Sequence, residues 1–207
     1  MVTGAASPAP HDLLQLRNVT GVECARLPRW AQDSLRWARW VVRRRAQPRT
    51  GDIPVGIRGR QRNQRHAWWI PVESVHRVVP PWQLVHHLAT YESTLAVVCA
   101  ARAVRALMAE QGLRWGPTGS LGFTLATGRI AIRPGSDLDV LIDTPTELPR
   151  ERARELNNQL KRLECAVDAQ LATPAGGVSL DEWANTTAQH LLVRTESGPM
   201  LTANPWR

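Results

Sequence analysis

Residues 116–143, GPTGSLGFTLATGRIAIRPGSDLDVLID, decide the fold because they join a glycine-serine turn to an acidic pair that opens an apolar strand. The pair is Asp137 and Asp139, and Val140 follows directly. Side chains alternate between the two faces of a strand, so both carboxylates point one way and Leu138 points the other. Two carboxylates held this close repel each other unless a cation or a shared proton lies between them. The stretch predicts a divalent-cation site at the start of a buried strand.

A third carboxylate follows on a second strand. In residues 163–171 every odd position is apolar, and Asp168 lies at an even position on the outer face. Residues 147–162 predict a helix, with Pro149 in its first turn. A strand, helix, strand unit favours parallel strands and a right-handed crossover, which sets Asp168 beside the acidic pair. Three such carboxylates suit two Mg²⁺ ions that clamp the attacking and leaving oxygens of an in-line displacement.

The small-residue turn before the acidic pair suits a phosphate. Gly119 lets the backbone approach an anion closely, and Ser120 adds a hydroxyl group. The N–H groups of such a turn, together with the hydroxyl, hold phosphate oxygens. The segment between Ser120 and Asp137, which contains Gly122 and Gly128, is predicted to be a loop.

The pattern resembles known enzymes. Gly119-Ser120, then Asp137-x-Asp139 and a lone strand aspartate, resembles the nucleotidyltransferase superfamily related to polymerase beta. Nearly the whole chain resembles a narrower family, the phosphoribosyl-dephospho-coenzyme A transferases of malonate decarboxylase, also called holo-acyl-carrier-protein synthases of that system. The stretches that carry the narrower resemblance are residues 11–14, 53–59, 115–143, 167–170 and 173–184.

This resemblance implies an enzyme that moves the phosphoribosyl-dephospho-CoA group from triphosphoribosyl-dephospho-CoA to a serine of the decarboxylase's acyl-carrier subunit, releasing pyrophosphate. Gly119 and Ser120 would hold the triphosphate, with Arg133 as a further substrate-binding residue. Asp137 and Asp139 would bind Mg²⁺, with two ions expected. Asp168 takes the third-carboxylate position, as a catalytic residue and metal ligand.

The expected fold class is α/β of the α+β kind, in two domains. Prolines punctuate the chain, and a boundary is predicted near Pro80-Pro81. Residues 1–80 are expected to form a small α+β domain with basic loops, behind a loose tail at residues 1–10. Residues 81–207 are expected to form a nucleotidyltransferase-like catalytic domain.

Several elements are predicted from local patterns. The first domain should contain a helix over residues 27–40 and strands near 53–58 and 66–70, joined by a basic loop. The second should contain a short helix over residues 82–88 and a longer one over residues 93–111, capped by Ser93. Ser179 and Glu182 form a capping box that starts a helix, and residues 191–195 predict a strand.

Composition limits the alternatives. The net charge of +8 and the pI near 11.0 are typical of a protein with a polyanionic partner, but a GC-rich genome that favours arginine codons is the preferred explanation. A basic surface suits a triphosphate and an acidic carrier protein. No apolar run is long enough to span a bilayer and residues 1–10 lack a signal-peptide pattern, so the cytoplasm is expected. The three cysteines, in apolar contexts, are expected to be reduced core residues.

Two other functions remain open at this point. One is a nucleotidyltransferase of the same fold that modifies another acceptor, such as a small molecule or an RNA end. An arginine-rich nucleic-acid-binding module would bind DNA or RNA with strong salt dependence, but nucleic acid is disfavoured because it leaves the matched glycine, serine and aspartate positions unexplained. Trp68 or Trp69 is a candidate for stacking an adenine, and the arginine clusters at 43–45 and 58–65 are expected to be solvated.

Overall fold

The computed structural model describes residues 7–17, 22–47, 49–61 and 63–207. Contacts divide the chain into two compact units, Met1–Pro80 and Pro81–Arg207. Most of the predicted loose tail and one position of the basic loop lie outside the described residues. Each unit has its own β-sheet and helices, so the fold is α+β.

The first unit is built on an antiparallel sheet with the strand order β4-β3-β2-β1-β5. Its strands are β1 (Leu13–Leu16), β2 (Trp40–Arg43), β3 (Asp52–Arg58), β4 (Arg65–Pro71) and β5 (Val75–Val79). Its helices are α1 (Val22–Ala25) and α2 (Arg29–Trp37).

The core of this unit lies where α2 packs on the sheet. Ala31 and Leu35 of α2 are fully buried and join Leu14 and Val55 in one apolar cluster. The two strands predicted near residues 53–58 and 66–70 are confirmed as β3 and β4. The predicted helix over residues 27–40 is too long, because extended backbone at Pro28 precedes its first turn and its last predicted residues enter β2.

The second unit begins with a 3-10 turn at Pro81–Gln83 and holds the remaining elements. Its helices are α3 (Leu84–Thr90), α4 (Ala96–Gln111), α5 (Gly119–Thr127), α6 (Arg150–Leu160) and α7 (Leu180–Asn185). Its strands are β6 (Arg114–Pro117), β7 (Leu138–Asp143), β8 (Val167–Thr173), β9 (Gly176–Ser179), β10 (Leu191–Thr195) and β11 (Gly198–Thr202).

These strands form one sheet in the order β11-β10-β9-β8-β7-β6. β7 and β8 are parallel and α6 connects them, which confirms the predicted strand, helix, strand unit. The other neighbouring pairs are antiparallel. β8 starts at Val167, four residues later than predicted, and Pro149 is the N-cap of α6 and not a first-turn residue.

Helix α4 begins later than predicted, and one of the cysteines that were expected in the core lies on its exposed face. Leu95 is the N-cap, and the Ser93 hydroxyl accepts a hydrogen bond from the Leu95 N–H at 3.2 Å outside the helix. The buried stripe includes Val97, Ala101, Val104 and Met108, spaced as one helical face. Of the three cysteines, Cys165 is buried, Cys24 is partly buried and Cys99 is exposed, so the prediction of a core position is wrong for Cys99.

The predicted capping box is half formed. The Ser179 hydroxyl accepts a hydrogen bond from the Glu182 N–H at the start of α7. The Glu182 carboxylate instead accepts from the Leu192 N–H at 2.8 Å, which ties α7 to β10. β10 has the predicted bounds, whereas β11 was not predicted. Within the described ranges, no helix has the length and apolar character needed to cross a membrane.

A buried carboxyl group in the first unit makes stability depend on pH. Asp12 is 5% exposed, and its Oδ2 accepts a hydrogen bond from the Ala9 N–H at 2.8 Å. Burial raises the pKa of Asp12 from 3.8 to about 6, against the opposing effects of that hydrogen bond and of Arg43. The folded chain therefore holds this proton more tightly than the unfolded chain does. Its contribution to stability is full below about pH 4 and is lost as the pH rises through about 6.

Replacing Asp12 by asparagine is therefore expected to raise the free energy of unfolding at pH 7.5 by about 1–2 kcal/mol relative to the native chain, with little gain at pH 4. The asparagine keeps an acceptor for the Ala9 N–H and carries no charge. Urea denaturation of both proteins at both pH values measures the difference. An equal difference at the two pH values would contradict the assignment.

Candidate active site

The glycine-serine motif begins a buried helix where the sequence predicted a turn followed by a long loop. Helix α5 starts at Gly119, after the extended N-cap Thr118. Gly122 fits inside the helix because a side chain there would lie 2.6 Å from the Pro117 carbonyl oxygen. Gly128, with φ of +68°, ends the helix in the left-handed conformation. The loop between the motif and the acidic pair is therefore only residues 129–137.

Gly119 lies directly against one of the predicted catalytic acids. Its φ is +56°, and a methyl group at this position would lie 1.7 Å from Oδ2 of Asp139. The contact is held in place by the Thr118 N–H, which donates to the Asp139 carbonyl oxygen at 2.9 Å. The first N–H groups of a helix have no partner within it and attract negative charge. The Asp139 carboxylate therefore lies at the start of α5.

The three predicted carboxylates come from the neighbouring ends of two parallel strands. Asp139 on β7 is directly opposite Asp168 on β8, so the register agrees with the parity argument from the sequence. Asp137 precedes β7 and is half-buried, like Asp139, whereas Asp168 is exposed. Leu138 and Val140 are buried on the other face of the strand. The topology thus brings the acids of two distant segments to one end of the sheet.

The three predicted acids do not form a complete set of metal ligands. Across the described ranges, no group of three or more His, Cys, Asp or Glu side chains is arranged to hold a metal ion. Asp168 as a third direct ligand therefore remains a prediction. Mg²⁺ is commonly held by one or two carboxylates, with water and substrate phosphates as its other ligands. A half-buried pair of carboxylates next to a helix start fits that type of site.

The Cys165 thiol lies close enough to Asp137 and Asp139 for their negative charge to affect its pKa. Its thiol is buried and donates to the Ser136 carbonyl oxygen at 3.2 Å. Burial raises the pKa of this thiol, the charges of Asp137 and Asp139 raise it further, and a backbone hydrogen bond from Leu138 opposes the change. Sequence reasoning placed Cys165 in the core and did not anticipate that it lies within range of both acids.

The loop that carries Arg133 is fixed by hydroxyl groups. The Thr124 hydroxyl accepts from the Ala131 N–H at 3.0 Å, and the Ser136 hydroxyl accepts from the Arg133 N–H at 2.9 Å. Arg133 is exposed on this loop, between the end of α5 and the acidic pair. Ser120 is only 7% exposed, so its backbone N–H, at the start of the helix, is better suited to bind a ligand than its hydroxyl group.

A fourth acid on the same strand has a structural partner. Asp143, at the end of β7, accepts hydrogen bonds from the guanidinium of Arg114 on β6. Arg114 also lies over the Trp82 ring, 4.6 Å from its centroid. Asp143 is therefore engaged at the opposite end of the strand from Asp137 and Asp139.

Family models match both units of the chain. Residues 9–81 match the model of the phosphoribosyl-dephospho-CoA transferase MdcG N-terminal domain, and residues 83–205 match that of the C-terminal domain. The chain belongs to the phosphoribosyl-dephospho-CoA transferase MdcG family. It is accordingly a transferase, and not a nucleic-acid-binding module without catalytic activity. The family resemblance found in the sequence is confirmed.

Curated relatives of this family match along almost their full length. A phosphoribosyl-dephospho-CoA transferase from Azotobacter vinelandii is 41% identical over 97% of the chain and 95% of its own length. Those from Pseudomonas aeruginosa and Klebsiella pneumoniae are 38% and 37% identical, over 98% of the chain in both cases and over 95% and 98% of their own lengths. No solved structure matches the chain significantly.

Proposed function

We propose that this family member transfers the phosphoribosyl-dephospho-CoA group from triphosphoribosyl-dephospho-CoA to a serine of the malonate decarboxylase acyl-carrier subunit. The serine oxygen forms a bond to the innermost phosphorus of the triphosphate. The bond from that phosphorus to the oxygen leading to the outer two phosphates breaks, and pyrophosphate leaves. The serine proton passes to a base on the enzyme. The activity for which the relatives are named supports the transferred group, and the acidic site supports the phosphoryl chemistry.

The contact between Gly119 and Asp139 carries the proposal. The start of α5 is suited to phosphate oxygens because backbone N–H groups and the helix dipole converge there. The Asp139 carboxylate lies at the same helix start, where a methyl group added at position 119 would meet it. Two anions held this close repel each other unless a cation or a shared proton lowers the repulsion. Asp139 would therefore hold a divalent cation that lowers its repulsion of a triphosphate bound at this helix start.

Asp137 and Asp139 fit Mg²⁺ because they offer hard oxygen ligands and leave coordination positions for phosphate. We propose two ions, as in other in-line displacements. When bound, Mg²⁺ neutralises the charge on the transferred and leaving phosphates. The same features support a nucleotidyltransferase fold for the second unit: a glycine-serine motif at a helix start, an acidic pair on the next strand, and a third acid on the parallel neighbour.

Asp168 is proposed to orient the carrier serine and take its proton. It is exposed, directly opposite Asp139 in the sheet, and at the end of the site where a protein acceptor can approach. Arg133 is exposed on the neighbouring loop and is proposed to bind the triphosphate. The net charge of +8 suits both an anionic donor and an acidic carrier. The exposed thiol of Cys99 supports a location in the reducing cytoplasm.

Replacing Asp168 by asparagine is expected to lower kcat about 10²-fold, because a positioned general base typically contributes at least that much. The substitution keeps the size of the side chain and an acceptor oxygen, so donor affinity should change little. Single-turnover transfer and equilibrium donor binding, measured on the same preparation, separate the two effects. Unchanged transfer would exclude Asp168 as the base.

Donor selectivity tests the proposal against a nucleotidyltransferase that acts on another acceptor. The chain is incubated with Mg²⁺, the carrier subunit and either triphosphoribosyl-dephospho-CoA or one of the four ordinary nucleoside triphosphates. Pyrophosphate release that needs both the activated coenzyme A derivative and the carrier is expected. Release from a nucleoside triphosphate, independent of the carrier, would favour the other acceptor class.

A further inference from the structure

The first unit contains a cluster of arginine and tryptophan on one face of its sheet. The Arg44 N–H donates to the Pro54 carbonyl oxygen at 3.1 Å, and Pro54 is directly opposite Trp69 across β3 and β4. Residues directly opposite each other on neighbouring strands share a face. Val55, in the apolar core, alternates with Pro54 along β3, so the cluster lies on the face opposite that core. We call Arg44, Arg49 and Trp69 the Arg-Trp cluster.

Two guanidinium groups lie over the same indole ring. The Cζ of Arg49 is 3.8 Å from the centroid of Trp69, and that of Arg44 is 4.6 Å from it. The ring stabilises each cation, but the two positive charges repel each other. Trp69 is therefore engaged by arginine in this structure, and the sequence-based suggestion that it stacks an adenine is not needed to explain its position.

The cluster contains hydrogen-bond donors without acceptors. Of the four buried side-chain polar atoms that lack a partner among the described residues, two are Nε of Arg44 and Nε1 of Trp69. An unpartnered buried donor costs about 1–3 kcal/mol, and two donors in one cluster mark the place of an unseen acceptor. Both atoms belong to side chains that contact each other.

The electrostatics favour an anion as that acceptor. Burial lowers the pKa of Arg44, and the charges of Arg43 and Arg49 lower it further. Where the chain is described, no carboxylate forms an ion pair with Arg44 or Arg49. Asp52 is joined to Arg49 through the backbone, where the Asp52 N–H donates to the Arg49 carbonyl oxygen at 3.0 Å. A positive cluster without a counter-charge is stabilised by a bound anion.

We infer that the Arg-Trp cluster binds a phosphate group. Two guanidiniums and an indole N–H are matched better by the three or four acceptor oxygens of a phosphate than by the two of a carboxylate. The unpartnered donors are buried, whereas Arg49 beside them is exposed. The phosphate comes either from a dephospho-CoA moiety, through its diphosphate bridge, or from free phosphate or pyrophosphate. This inference does not rest on the reaction proposed above.

Isothermal titration of the full chain with dephospho-CoA, pyrophosphate and inorganic phosphate tests the site. Replacing Arg49 by glutamine is expected to weaken binding of at least one probe about tenfold, because it removes a charged donor. Replacing Trp69 by phenylalanine keeps an aromatic ring but removes the N–H, and is expected to weaken the same probe severalfold. Circular dichroism and the melting temperature show whether each variant is folded.

Arg36 provides the matched control. It is an exposed arginine of α2, a helix that packs on the opposite face of the sheet, and among the described residues it pairs only with the exposed Asp33. Replacing Arg36 by glutamine removes the same charge and should change each affinity less than twofold. An Arg49-dependent response to dephospho-CoA alone assigns the phosphate to that moiety, and a response to the inorganic probes assigns it to free phosphate. Equal affinities of the Arg49 and Arg36 variants for all three probes would overturn the inference.

Discussion

Replacing Asp139 by alanine is expected to lower kcat for transfer on the order of 10⁴-fold, the scale seen when a central catalytic carboxylate is removed. Asp139 lies against Gly119, at the helix start proposed to bind phosphate, and it lies opposite Asp168, the proposed base. Without Asp139, only Asp137 of the acidic pair would remain to hold the Mg²⁺ that lowers the charge on the phosphates. Rapid-quench measurement of pyrophosphate release, at saturating donor and carrier, gives the effect.

Asp143 provides the control for this prediction. It lies on the same strand with the same parity, and its partner is Arg114. This ion pair is partly exposed, so replacing Asp143 by asparagine should cost less than about 1 kcal/mol of stability and leave kcat within a few-fold of the native value. Equal losses in the two variants would indicate a general effect of negative charge on β7. A fully active Asp139→Ala variant would exclude the proposed role.

Replacing Gly119 by alanine is expected to lower kcat about 10³-fold while the chain stays folded, because the new methyl group takes the place of the Asp139 carboxylate. The carboxylate is the end of a flexible side chain, so it can move aside without unfolding the unit. Moving the Asp139 carboxylate separates this proposed cation ligand from the start of α5. The positive φ of residue 119 adds about 1–2 kcal/mol of backbone strain.

Gly112 provides a control that separates the effect of backbone strain from the effect of the contact with Asp139. It has φ of +62° at the end of α4, and a methyl group there would meet nothing within 4 Å. Gly112→Ala therefore imposes a similar strain without touching the site. Both variants should lose similar stability by urea denaturation, while only Gly119→Ala loses activity. Comparable kcat values for the two variants would contradict the close packing of Gly119 on Asp139.

The crossover unit was predictable from sequence because its signals are local and mutually consistent. Alternation placed Asp137 and Asp139 on one side of a strand, and the odd-even pattern around Asp168 did the same for its neighbour. The intervening helix favoured parallel strands. Together these signals predicted Asp168 beside the acidic pair, and the structure places it opposite Asp139. The start of β8 was predicted too early because Leu163 and Cys165 extend the apolar alternation beyond the strand.

Helix α5 was not predictable from the same reasoning. It is buried nearly all round from Ser120 to Leu125, so it lacks the polar face that marks an amphipathic helix. Its glycines also lower the intrinsic propensity for helix, and tertiary packing overrides that propensity. Short strands such as β1, β2 and β9 offer too few residues for alternation to be recognised. The Arg-Trp cluster depends on the register of three strands, which no local pattern specifies.

Mass spectrometry of the intact carrier subunit tests the central claim most directly. The subunit is measured before and after incubation with this chain, triphosphoribosyl-dephospho-CoA and Mg²⁺, with parallel samples that contain EDTA or the Asp139→Ala variant. The proposal predicts that one carrier serine gains the mass of a phosphoribosyl-dephospho-CoA group, and that this product is absent from both parallel samples. An unmodified carrier in the complete reaction, or equal modification in the presence of EDTA, would contradict it.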